Sequence, residues 1–149
     1  MSKSIKISLS KDQFQDLLKL VYLGNWLINS IRSVDDQIPV FDDILDQILS
    51  IARREKMENT VDFDAGLKKH YPTAEFEDSL NEYIDEYDSE LFWEGLLLRL
   101  VERDLIKKYG EDAVKGMSFD EIVDRERPFR EKYQREFEQN GIENLILRY

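Results

Sequence analysis

Carboxylates are the residues with which this chain could do chemistry. Glu55 and Glu58 stand three apart, and Glu82 and Asp85 repeat that spacing. Residues three apart on a helix share a face. Two such pairs would offer hard oxygen ligands for a divalent cation. Other routes to catalysis are closed or thin. The chain has no cysteine, which removes disulfides, thiolate nucleophiles and thiolate metal sites. Its one histidine, His70, stands beside Tyr71 in a loop-like stretch, and no spacing gives it metal co-ligands or a triad partner. Phosphate-loop, dinucleotide-binding and G-x-S-x-G motifs are absent.

The pairs Glu55/Glu58 and Glu82/Asp85 resemble, in spacing, the E-x-x-E and E-x-x-D pairs of all-α nucleotide pyrophosphohydrolases of the MazG type. The resemblance covers those four positions. It implies a Mg²⁺- or Mn²⁺-dependent enzyme on a helical scaffold. E-x-x-D also occurs at Glu75/Asp78 and Glu121/Asp124, so an acidic chain meets this spacing easily. The hydrolase therefore stands as the alternative reading rather than the first.

The most unusual local composition lies elsewhere. Glu75, Glu77, Asp78, Glu82, Asp85, Glu86, Asp88 and Glu90 are eight carboxylates with no Lys or Arg among them. Like charges at helical spacing repel by a few tenths of a kcal/mol per pair, about 0.2–0.5. The leading expectation is a small accessory protein of bacterial type that uses no cofactor. Its acidic face, Glu75, Glu77, Asp78, Glu82, Asp85 and Glu86, would meet a protein partner with a basic surface. Arg125, Arg127, Arg130, Lys132 and Arg135 are the internal counterpart that would make this face merely structural. A third reading is a DNA mimic whose carboxylates imitate phosphates.

Composition narrows the classes further. A net charge of −11 and a pI near 4.6 disfavour direct binding of nucleic acid, which needs clustered Lys and Arg. With no signal-peptide pattern and no apolar run of membrane length, the sequence reads as cytoplasmic and without a membrane role. Hydrophobic content of 42% is enough for a core, and 149 residues suit one globular domain, residues 1–149. Self-association stays open, because Trp26, Trp93 and the tyrosines can fill a core or leave an interface patch.

The elements that must position these residues are mainly helical. The fold expected is a five- to six-helix domain around a central buried helix, about residues 89–109. There Leu91, Phe92, Trp93, Leu96, Leu97, Leu98, Leu100, Val101, Leu105 and Ile106 cover most of the circumference. Glu94 and Asp104 fall among these apolar residues, so the reading makes them buried carboxylates paired with arginines from another helix. Ser10 with Gln13 and Ser118 with Glu121 form capping boxes that start two further helices, the second interrupted or kinked at Pro128. Others are expected at about 40–56, 64–70 and 74–87. Gly24, on the apolar face of the first helix, marks a close crossing, and Asn25 a buried hydrogen-bonding residue. Alternation at Ile5, Ile7 and Leu9, and again at Leu145, Leu147 and Tyr149, predicts a small antiparallel ribbon that pairs the two termini.

Overall fold

The computed structural model describes residues 5–57 and 59–146. It is mainly α, with one small antiparallel ribbon. The contacts divide the chain into two compact units, one up to Ile84 and one from Asp85 onward.

In the first unit, α1 (Lys11–Asn29) starts at the Ser10 capping box. The Gln13 N–H donates to Ser10 Oγ at 3.2 Å, and the Ser10 N–H donates to Gln13 Oε1 at 3.0 Å. A turn of 3₁₀ helix at Val34–Asp36 leads to α2 (Pro39–Arg54). Pro39 suits the start of α2, where a backbone N–H has no helical partner to lose. Asn29, itself buried, fixes the join: it accepts the Ile38 N–H at 2.9 Å and donates to Asn25 Oδ1 at 2.8 Å. Asn25 passes the connection on to Asp42 Oδ1 at 2.8 Å. Asn25 and Asp42 thus hold α1 and α2 together through neutral and charged partners. The core beneath them is Leu18, Leu45, Leu49, Ala52, Met57, Phe76 and Leu80.

Among the described residues, the ribbon lies within this unit. Strands β1 (Val61–Asp64) and β2 (Lys69–Pro72) pair antiparallel, with Val61 opposite Pro72 and Asp64 opposite Lys69. Residues 64–70, expected as a short helix, are therefore the hairpin. Val61, Phe63 and Tyr71 favour a pleated surface. Asp64 then closes the turn, its Oδ1 accepting the N–H groups of Gly66 at 2.7 Å and Leu67 at 3.0 Å. Ile5, Ile7 and Leu9 form no strand and are exposed. Leu147 and Tyr149 lie outside the described residues. The hairpin is fastened to α2 by Asp46, whose Oδ1 accepts the His70 N–H at 2.7 Å and sits 3.0 Å from His70 Nδ1. Arg53 of α2 stacks its guanidinium 4.4 Å from the Phe63 ring centre. A short helix, α3 (Ala74–Asp78), capped by Thr73, brings Phe76 into the core.

The next helix, α4 (Asn81–Tyr109), is longer than the stretch expected, because nothing between Asn81 and Gly110 breaks it. Asp88 and Ser89 lie inside it and cap nothing. At its end Gly110 takes φ +86°, a conformation that other residues adopt at a cost. In the second unit α5 (Glu111–Lys115) and α6 (Phe119–Asn140) follow, the latter continuous through Pro128 and started by the Ser118–Glu121 capping box. Leu97 and Val101 of α4 and Tyr133 of α6 are the buried centre, flanked by Leu100, Phe129 and Phe137. The helix is not buried all round as expected: Leu91, Phe92 and Leu98 are exposed.

Gly24 makes no close crossing, since a Cβ built there meets nothing within 4 Å. Gly24→Ala should therefore stabilise the protein by about 0.5–1 kcal/mol, through helix propensity and a less flexible unfolded chain. Denaturant unfolding would show the gain as a higher midpoint with an unchanged slope. Asp46→Ala should cost about 1–3 kcal/mol, because the His70 N–H loses its acceptor in a half-buried place. Asp43→Ala, at an exposed neighbouring position, should stay within about 0.5 kcal/mol.

Candidate protein-interaction surface

The carboxylates of the acidic run do not form one uniform face. In the first unit Glu77 is half-buried and accepts the Tyr22 hydroxyl at 3.1 Å. Burial, then the Glu77 charge and the hydrogen bond to it, push the Tyr22 phenol up to about 12. The Tyr22 ring meets Phe76 edge-on at 5.7 Å. Glu77 is thus a structural acceptor over the core. Glu75 accepts the Asn59 amide at 3.2 Å, and Asp78 accepts that of Asn81 at 3.3 Å. Both stay exposed, as does Glu82. Among the described residues of this unit, none of the four enters an ion pair with Lys or Arg.

Asp85, Glu86, Asp88 and Glu90 belong to the second unit, on α4, and all are exposed. None of them is in an ion pair among the described residues of that unit. The arginines of α6 do not serve as their counterpart. Arg127 pairs with Asp124 at 2.7 Å, and Arg130 with Glu94 at 3.3 Å and Glu126 at 3.8 Å. Arg125 lies over the Tyr109 ring at 4.7 Å. These acids accordingly keep their charge for solvent or for a partner.

The same part of α4 leaves apolar surface uncovered. Tyr87, Leu91 and Leu98 are spaced i, i+4, i+11 and so point to one side of the helix. They are 44%, 54% and 43% exposed. Phe92, equally open, leans edge-on against Trp93 at 5.0 Å. At 100° per residue the exposed acids Glu90 on one flank and Asp88 and Glu102 on the other give this apolar side a negative rim. The sequence pattern showed the apolar residues but placed them inside a core; what it lacked was the number of neighbours α4 has.

Glu94 and Asp104 part company. The Glu94 side chain keeps 51% of its exposure and meets Arg130 across to α6, so it is a surface ion pair and not a buried charge. Its place on the helix lies toward the rim of the α6 contact. Asp104 is 17% exposed and held at both oxygens. The Arg103 guanidinium donates to Oδ1 at 2.9 Å, and the Tyr133 hydroxyl donates to Oδ2 at 2.5 Å. Arg103 Nη2 also donates to the Tyr133 oxygen at 2.9 Å, closing a three-membered network. The arginine is the neighbour on the same helix, not one from another helix. Burial alone would raise the Asp104 carboxyl, but the Tyr133 and Arg103 hydrogen bonds and the nearby cations together hold it below the ordinary range.

The metal quartet is not assembled as one described site. Glu55 ends α2 and faces Arg54 at 3.7 Å, both well exposed. Glu58 lies outside the described residues. Glu82 is exposed near the start of α4, and Asp85 belongs to the second unit. Among the described residues, no three His, Asp or Glu side chains come together as a metal site. No described helix is long and apolar enough to cross a membrane.

The Asp104 network carries a pH dependence. A carboxyl depressed by folding stabilises the fold above its unfolded value, about 3.9, and that contribution disappears as pH falls through the lower, folded value. Tyr133→Phe removes a donor to Asp104 and should lower stability at neutral pH by about 1–3 kcal/mol. The deficit should shrink as the pH drops below about 4; unfolding midpoints of the two proteins across pH 2.5–7 (about that span) would converge at the acid end.

Comparison with family models, with curated proteins and with solved structures finds no match to this chain.

Proposed function

We propose that this protein is an interaction module, and that α4 of the second unit binds a basic, amphipathic segment of a protein partner. One observation carries the reading. Tyr87, Leu91 and Leu98 present apolar surface along one side of α4, and the acids that flank them, Asp88, Glu90 and Glu102, lack an ion-pair partner among the described residues of the unit. Isolated exposed apolar residues are ordinary on a protein surface. Aligned ones with an unneutralised charged rim are what a helix-in-groove or helix-on-helix contact uses: apolar anchors supply affinity, and charge selects the partner and speeds encounter. The acids then do not need a ligand of their own. They reject acidic and neutral segments and favour one rich in Lys and Arg.

The test uses the full chain and a helical model peptide with Leu on one face and Lys on the other, alongside a twin with Glu in place of Lys. The lysine peptide should bind, and binding should weaken as salt rises, because exposed charges are screened beyond about 8 Å at physiological ionic strength. Leu91→Lys combined with Leu98→Lys should weaken it at least tenfold, about 1.4 kcal/mol. Asp88→Lys with Glu90→Lys should do the same while leaving the unfolding midpoint unchanged. Equal binding of the two peptides, or binding indifferent to both double variants, would remove the proposal.

A further inference from the structure

The second unit also contains a cleft whose charge is opposite to that of the chain. It has a volume of about 660 Å³ and lies between the last turns of α4, the last turns of α6 and the chain that follows Gly141. Three cations line it, Arg103, Lys107 and Lys132, against one carboxylate, Glu136. In a protein of net charge −11 this is a local reversal.

The three cations are not equivalent. Arg103 is held in place by Asp104 and Tyr133 through Nε and Nη2, and its Nη1 group has no protein partner among the described residues. Lys107, one turn further along α4, is exposed and makes no ion pair among the described residues of the unit. It suits the negative end of the helix dipole, but that role leaves its ammonium free to turn into the cleft. Lys132 lies over the Tyr133 ring at 5.1 Å, which restrains its stem without neutralising its charge. The one carboxylate is already engaged: Glu136 accepts the amides of Asn140 at 3.0 Å and Asn144 at 2.6 Å.

Besides Tyr133, Gly141 and Asn144, the rest of the lining is apolar. Phe137 stacks with Tyr133 at 5.9 Å between ring centres, and Leu145 and Ile146 are exposed beside it. Clefts of roughly 300–1,000 Å³ with an apolar body and a few convergent polar groups are the usual shape of small-molecule sites. We infer that this cleft binds a small organic anion, with the acid group among Arg103, Lys107 and Lys132 and an aromatic or aliphatic body against Phe137, Leu145 and Ile146. The site is independent of the partner-binding side of α4, so either can fail without the other.

Amide chemical shifts of the full chain, titrated with 4-phenylbutyrate, with phenyl phosphate and with the neutral 4-phenylbutyramide, would decide it. Saturable shifts centred on residues 103–107 and 132–146 are expected with at least one of the two acids, at a Kd of roughly millimolar or tighter. The neutral amide should bind at least tenfold more weakly. Whichever acid binds more tightly names the head group as carboxylate or phosphate. Lys107→Glu with Lys132→Glu should weaken the acid at least tenfold, and Lys107→Arg with Lys132→Arg should retain it. Both pairs change exposed side chains, so an altered melting curve is not expected. The inference is overturned if acid and amide bind alike, if charge reversal leaves the acid's affinity unchanged, if the shifts centre on Leu91 and Leu98, or if neither acid saturates.

Discussion

The second unit depends on a mismatch between how much of α4 is apolar and how much of it can be covered. Leu, Val, Ile, Phe and Trp residues surround most of that helix, and within the unit α6 is the long helix that packs on it. Burial of apolar area is worth about 25 cal/mol per Å² wherever it occurs, so the sides facing α6 are used first. Leu97, Val101 and Leu105 are buried, while Leu91, Phe92 and Leu98 are left open. The remainder is surface that folding has not consumed. Its edge of carboxylates keeps it hydrated and limits indiscriminate association, which links the packing of this unit to the binding role proposed for it.

Polar side chains do different work in the first unit. Asn29, Asn25 and Asp42 join the two long helices, and Asp46 fastens the hairpin to α2. In each case a group that would be costly to bury alone is given a partner from another element. The aspartates near the start of α2 are Asp42, Asp43 and Asp46. Two of the three are cross-links, and their positions determine where the neighbouring elements dock.

Local signals were legible in the sequence wherever the structure is decided locally. The capping boxes at Ser10 and Ser118 form as spelled out, and Gly110 ends α4. The mainly helical class followed from periodicity. What could not be read was settled by neighbours. Asp64 to Lys69 has the composition of a helical turn, yet an Asp64 carboxylate that bonds two N–H groups ahead and an acceptor waiting on α2 make it a hairpin. Alternation at Ile5, Ile7 and Leu9 suggested a strand but supplied no edge to pair with. The acidic candidates divided in the same way: Glu77 was taken up by Tyr22, Glu94 remained at the surface, and only contacts made across elements separate these fates.

The placement of the two tryptophans has a practical consequence. Trp26 lies in α1 of the first unit and Trp93 in α4 of the second, each partly buried. Replacing either one with phenylalanine would leave a single tryptophan, placed in the other unit. Each unit's loss of structure could then be followed under identical conditions in the intact chain. Coincident transitions would mean that the chain unfolds as one cooperative body, and separated ones would give each unit its own stability.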